Sequence, residues 1–447
     1  LPGSPLKVLL KTSLPAMVDL SSQTLMWMIE AMLVGHLGAA ALAGVGMAAQ
    51  VVIFTSTLLL TFVMGSSIIV SQYLGAGRVE EANHFLGQSV MMSGLASLGI
   101  AALWYFAAPL IFKTLLGAEP QAASQGIGYL RIIACFGPLI IVNFVSVGIL
   151  RGAGDTHLSM MVSLAVNGIN AVLTTLLIYG LFGFPRLEVK GAALATGIAH
   201  SIGFAITLTL LLSHRSVLSL RMRDLKRFNL RSSRQLFLMG APITLEQMVW
   251  VTGQMFVMSY AARISTVALA THQVLLRLQA VISMLYQGIG MGAMTLTGKS
   301  LGANQEERAR RVGTISSRIV FFTVVVVAAV LFFLARPIMY LFTSDPRVIH
   351  LGVLVLGLVA VIQVPKALNI VISGSLRGAG DIRWLMILTT VGVLAFEIFG
   401  AWALGFLWGL GLVGLWLATG IDESSRSMAN YLRYRGSRWG KEQPTQV

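Results

Sequence analysis

Charge is scarce in this 447-residue chain. Only 11% of its residues are Asp, Glu, Lys or Arg, where a soluble domain carries about 25%. Hydrophobic residues reach 56% and the mean hydropathy is +0.81, which excludes a soluble domain and places the chain in a membrane. Cysteine is nearly absent. Cys135 stands alone, so no intrachain disulfide can form, and its apolar surroundings predict an inert packed thiol. Acids are scarcer than bases, 17 against 32, for a net charge of +15. The cations lie in gaps between apolar runs without the aromatic interleaving of a nucleic-acid groove, so no nucleic-acid partner is expected. No His/Cys metal spacing and no nucleophile–base pair is visible, so neither metal, cofactor nor enzymatic activity is expected.

Apolar runs of membrane-spanning length recur. They cover about 12–36, 46–74, 86–108, 123–149, 157–182, 190–213, 236–262, 271–298, 313–335, 350–376, 384–408 and 411–434. The first run is expected to remain in the bundle rather than to act as a cleaved signal. Twelve spans put both termini on one side. Lys and Arg concentrate on the same side, which predicts that it is cytoplasmic and faces anionic lipid. The one long polar stretch is 214–235, with seven Lys or Arg and one acid. The expected division is an N-terminal lobe over 1–213, a basic cytoplasmic linker over 214–235 and a C-terminal lobe with a basic tail over 236–447.

The two halves are copies. LRGAGD occurs at 150–155 and at 376–381. Pro15 and Asp19 match Pro242 and Glu246, LGAG at 74–77 matches LGAN at 301–304, and LATGI occurs at 194–198 and 417–421. A repeat of six helices is even, so both copies run the same way. The expected fold is all-α and integral to the membrane. Its twelve helices form two six-helix lobes, related by a pseudo-two-fold axis along the membrane normal, with the seam between them as a pathway.

In each LRGAGD string the arginine, Arg151 or Arg377, closes a helix at its negative dipole end. Gly-Ala-Gly permits positive φ, and Asp155 or Asp381 stands where the next helix needs an N-cap. Two readings remain open: a tight hairpin, or a cytoplasmic gate in which Arg and Asp bond across the lobes. Two other strings are rejected. TGKS at 297–300 lacks the glycine and the strand of a phosphate loop. GLGLVG at 409–414 lacks a βαβ context.

Ionisable groups inside the hydrocarbon are the most informative residues. Asp19, Gln23 and Glu30 share a face of the first helix, with Asp19 and Glu30 roughly 16 Å apart along it. Asp19 can serve the helix dipole or ion coupling; Glu30, in the outer half, favours function. The second lobe offers Glu246 and Lys366, with Gln247, Gln254, Gln273, Arg277, Gln363 and Asn369. Glu246 can pair with Lys or Arg, or can titrate. Glu397 stands alone, Asp422 and Arg426 form an i,i+4 pair, and Asn143, Asn167, Asn170 and His200 suit helix–helix hydrogen bonds. Trp27 and Met26 border the acidic stripe.

With VGHLGAAALAGV (34–45), VALATHQV (267–274), the two LGA-[GN] turns and the two LRGAGD strings, nearly the whole chain resembles the multidrug and toxic compound extrusion (MATE) transporters. The resemblance implies a two-lobed antiporter working by alternating access without ATP. It would expel amphiphilic, often cationic compounds in exchange for H⁺ or Na⁺. The family's helix-one Asp falls at Glu30. Its helix-five acid falls at Thr174, four residues after Asn170. The helix-ten acid of sodium-coupled relatives falls at Lys366, and Glu246 fits a helix-seven acid. These matches predict proton coupling through Glu30 and Asp19 in one lobe and through Glu246 beside Lys366 in the other. The predicted substrate pathway holds Gln23, Trp27, Asn143, Asn170, Thr174, Gln254, Gln273, Arg277 and Asn369. A sodium-coupled exporter and a lipid-linked precursor flippase of the same superfamily are the alternatives. A monomer in the plasma membrane is expected.

Overall fold

The structure, a computed structural model, describes residues 5–213, 215–226 and 228–436. Among these residues every regular element is helical. Twelve long helices carry the fold: α1 (Pro5–Gly35), α2 (Ala39–Gly75), α3 (Val79–Leu110), α4 (Pro120–Gly152), α5 (Thr156–Tyr179), α6 (Glu188–Leu212), α7 (Leu230–Ile264), α8 (Thr266–Gly302), α9 (Glu306–Phe333), α10 (Pro346–Gly378), α11 (Ile382–Gly392) and α12 (Gly411–Arg435). Each coincides with one expected span. Helix α3 runs on into a π turn over Ile111–Leu115. Helix α11 continues through π-helical segments at Val393–Gly400 and Ala403–Leu407. Among the described residues nine helices are long and apolar enough to cross a membrane on hydropathy alone. The other three, α1, α7 and α12, carry the buried charges described below.

Why the same tetrapeptide chemistry recurs is visible at the helix ends. Gly77, Gly154 and Gly380 have φ of 74°, 85° and 86°, and Asn304 takes the equivalent conformation at 55°. Beyond each, an amide reaches back five residues. Asp155 N–H bonds to the Leu150 carbonyl at 3.0 Å, and Asp381 N–H to Leu376 at 3.0 Å. Arg78 N–H bonds to Tyr73 at 2.9 Å, and Gln305 N–H to Ser300 at 2.8 Å. These are helix C-caps closed by a left-handed residue, made four times at repeat-related positions. Asp155 and Asp381 do stand at the N-cap positions of α5 and α11, but neither side chain caps there; both are engaged elsewhere.

Packing divides the chain into two units. One is Val18–Ala241; the other ends its first stretch at Met17 and resumes at Pro242. These packing boundaries fall inside α1, beside Pro15, and inside α7, at Pro242. The glycines give the reason. Gly65 of α2 lies against Leu236 and Gly240 at the start of α7. Gly292 of α8 lies against Leu9 and Ser13 at the start of α1. Lipid offers little hydrophobic drive for helix association, so backbones approach where side chains are smallest.

Within the Val18–Ala241 unit α4 is central, packed on α2, α3 and α6; in the other unit α10 holds the equivalent place against α8, α9 and α12. Gly152 abuts Ser67, and Gly378 abuts the backbone of Met294.

One expectation changes. Cys135 is exposed, not packed inside, because an apolar run in a membrane helix does not reveal which face turns outward. The described part of 214–235 is bound to the first unit. Leu218 and Leu220 are buried with Leu86 and Leu211. Asn83 bonds Ser219 in both directions, at 3.0 and 2.8 Å, and Arg221 meets Glu80 at 2.9 Å. His214 and Arg227 of that stretch lie outside the described residues.

Candidate functional site

In the Val18–Ala241 unit, polar side chains follow α1. Asp19 is fully buried and meets the Arg151 guanidinium at 2.7 Å. Its other contacts are Gln23 Nε2 at 3.2 Å and Ser159 Oγ at 3.3 Å. Three turns further on, Glu30 is half-buried and accepts a 2.7 Å hydrogen bond from the Tyr129 hydroxyl of α4. A neutral phenol thus stands where Asp19 has a guanidinium, which separates the two acids of the stripe. Nearby helices close their own polar contacts. Thr174 donates to Asn170 Oδ1 at 2.9 Å and Thr196 donates to the same oxygen at 3.4 Å. Thr207 donates to Asn143 at 2.9 Å, and Asn167 to Ser22 at 2.9 Å. His200 is not bonded through Nδ1. Met26 is buried while Trp27 is 61% exposed, so only one of the two residues flanking the stripe packs inside the unit.

In the second unit the acid kept by the repeat is held in the same manner. Glu246 meets Arg377 at 2.7 Å and accepts from Thr389 at 3.3 Å. The expected neighbour, Lys366, is elsewhere: its Nζ lies 4.0 Å from Glu423. Each LRGAGD arginine therefore neutralises the acid on the first helix of its own repeat. Each LRGAGD aspartate bonds within its own unit. Asp155 accepts from Ser216 Oγ at 2.8 Å and from Val217 N–H at 3.1 Å. Asp381 takes the Arg433 guanidinium at 2.7 and 3.2 Å. Spacing along one helix cannot reveal these partners, which arrive from distant positions in the chain.

Around Lys366 lies a larger polar core. Glu423 accepts from Asn369 at 2.9 Å and faces Arg426 at 3.5 Å. Arg426 also pairs with Asp422, as the i,i+4 spacing predicts. Asn430 donates to Asn369 at 2.8 Å and to Ser373 at 3.1 Å, and accepts from Trp384 at 2.9 Å. Gln254 donates to Glu397 at 3.2 Å, so Glu397 is not alone. Gln363 is buried with neither amide atom bonded. Of the remaining candidates, Gln273 reaches the Met258 sulfur at 3.2 Å in an exposed setting, and Arg277 is exposed. Neither joins the core. Sequence reasoning misses Tyr129 and Asn430. It also misses Glu423, although its position three residues before Arg426 is a usable signal.

Comparison with known proteins follows the repeat. The MatE family pattern matches residues 15–176 and again 242–403. A protein of Thermotoga maritima named probable multidrug resistance protein NorM is 28% identical over 440 residues, covering 97% of this chain and 93% of that protein. A like-named protein of Burkholderia mallei is 30% identical, covering 91% and 88%. A solved MOP superfamily transporter of Pyrococcus furiosus, described as having a binding pocket of reversed polarity, superposes with a TM-score of 0.88 at 25% identity, covering 97% of this chain and 96% of that one. Two family matches at the two repeats, on a twelve-helix all-α membrane fold, lead to one conclusion: the chain belongs to the MATE family of membrane transporters.

Proposed function

We propose that this transporter is a secondary active multidrug efflux antiporter. It exports amphiphilic, often cationic compounds in exchange for protons, by alternating access in the plasma membrane with both termini cytoplasmic. The relatives' multidrug resistance names support the substrate class. The observation that carries proton coupling is Glu30. It is a membrane-embedded carboxylate whose bonded partner is a neutral phenol, Tyr129, so it can exchange a proton without breaking an ion pair. Asp19 and Glu246 already hold arginines and act as fixed ion pairs that brace each repeat. Lys366 places a cation where sodium-coupled relatives carry an acid, which favours protons over sodium. Its charge is directed at Glu423 rather than forming a free cationic lining, which favours export of cations over a flippase for anionic precursors.

Reconstituted vesicles with an imposed pH gradient and ethidium test this reading. Outward proton-driven ethidium transport is expected in the wild type and is expected to be lost in Glu30→Gln. Transport that follows a sodium gradient and ignores pH would refute it.

A further inference from the structure

The second unit contains a buried charge cluster with more acids than bases. Lys366 of α10 and Arg426 of α12 face Asp422 and Glu423 of α12 and Glu397 of the α11 extension, all at most 8% exposed. Two cations oppose three carboxyls, so the fully ionised cluster carries one excess negative charge. The pairings show where it resides. Arg426 takes Asp422 and Glu423, and Lys366 takes Glu423. Glu397 receives only the neutral Gln254 amide on Oε1. Its Oε2 has no hydrogen-bond partner, and the residue is fully buried.

From the geometry we infer that Glu397 is a proton-binding site of the second unit, its Oε2 taking the one proton that makes the cluster neutral. An isolated buried carboxylate escapes its desolvation penalty by binding a proton. A hard metal cation needs several oxygen ligands at one place, whereas a proton needs only the one unbonded carboxylate oxygen, Oε2. The charged groups facing Glu397 are Asp422, Glu423 and Arg426 from α12 and Lys366 from α10. Helix α7 contributes Gln254 and the backbone at Gly253, where a side chain would start 2.8 Å from Oε2. Its own acid, Glu246, is paired with Arg377.

The surrounding backbone suits a group that changes charge. Glu397 lies within the π-helical stretch Val393–Gly400, a rare conformation concentrated at functional positions. Gly392, at the entry to that stretch, lies against Asp422 and Arg426. Loss of the proton therefore places a negative charge directly between α7 and the acids of α12, and so acts on the packing of α7 against α11. For its role in transport this inference rests on the proton-coupled reading above.

The test is infrared spectroscopy of the full chain in lipid vesicles at neutral pH. Wild type is compared with Glu397→Gln, Glu30→Gln and Lys366→Gln. The protonated-carboxyl band that shifts in D₂O is expected to lose one residue's intensity in Glu397→Gln and to gain one in Lys366→Gln. An unchanged band in Glu397→Gln overturns the inference, as does loss of the wild-type band on adding sodium chloride at constant pH. The same vesicles then report ethidium transport driven by a pH gradient, expected to fall about tenfold in Glu397→Gln. A Glu397→Gln chain that remains monodisperse in detergent but transports at the wild-type rate overturns the coupling role. Wild-type vesicles that show the band but no pH-driven transport refute the proton-antiport reading and leave the site standing.

Discussion

Breaking the Asp19–Arg151 pair gives the sharpest energetic prediction. The carboxylate is fully buried and the guanidinium 10% exposed, at 2.7 Å. Removing one member of such a pair leaves the other as an uncompensated buried charge, at a cost of about 3–5 kcal/mol. Asp19→Asn is the harsher change, because it strands a guanidinium that cannot shed its proton. Replacing both partners removes both charges. The double variant should therefore be more stable than the sum of the singles implies, with a coupling of about 2–3 kcal/mol. Gln23 and Ser159 also bond Asp19, so an amide at position 19 retains part of its contacts, and the lower end of that range is expected. The assay is equilibrium unfolding in mixed detergent micelles for all four chains of the cycle. The repeat-equivalent cycle on Glu246 and Arg377 should give a smaller coupling, because Arg377 is 27% exposed. The Glu307–Arg311 pair, at 81% and 67% exposure, should give almost none. Coupling within about 0.5 kcal/mol of zero for Asp19 and Arg151 would refute the role assigned to the LRGAGD arginine.

Further outcomes follow from single contacts. Tyr129→Phe removes the hydroxyl that bonds Glu30; a hydrogen bond to a charged group contributes about 1.5–3 kcal/mol, so pH-driven ethidium efflux should slow by about tenfold or more. Gly152→Ala forces a methyl against Ser67 and should lower stability by about 1–3 kcal/mol, whereas Gly168→Ala, with open space around it, should not; micelle unfolding distinguishes them. At the start of α10, Asp345 caps the helix through Arg347 N–H at 2.9 Å, and bonds from Arg347 hold its carboxyl below the usual range. A depressed carboxyl stabilises above its unfolded value of about 3.9 and loses that contribution as pH falls through the folded value. Hydrogen-exchange protection at the first turn of α10, taken relative to the intrinsic exchange rate at each pH, should therefore fall on acidification in the wild type and show no such dependence in Asp345→Asn.

Much of the architecture is legible in the amino-acid sequence alone. Twelve apolar runs correspond to twelve helices, because a backbone in lipid must bond to itself and the helix is the local way to do so. The repeat is legible too, since LRGAGD, LGA-[GN] and the Pro15/Pro242 pair recur at a near-constant offset. The glycines that permit left-handed caps at residues 77, 154 and 380 are encoded residue by residue. Membrane-embedded charge is also a sound pointer, because its expense makes every instance informative.

What tertiary structure decided is which charge meets which. The sequence reading places Glu246 beside Lys366, yet it is Arg377 that reaches it, while Lys366 turns to Glu423. Helical periodicity assigns a residue to a face but not that face to a neighbour. Ion pairs between helices far apart in the chain depend on rotations and offsets that no local pattern records. The packing boundaries at Met17 and Pro242 are hidden for the same reason: α1 and α7 each read as one unbroken helix, and only the close contacts at Gly65 and Gly292 show where each half packs. The excess acid at Glu397 is invisible in a chain whose net charge is +15. Net charge sums over the loops, whereas the energetics of a buried carboxylate depend only on the few groups folded against it.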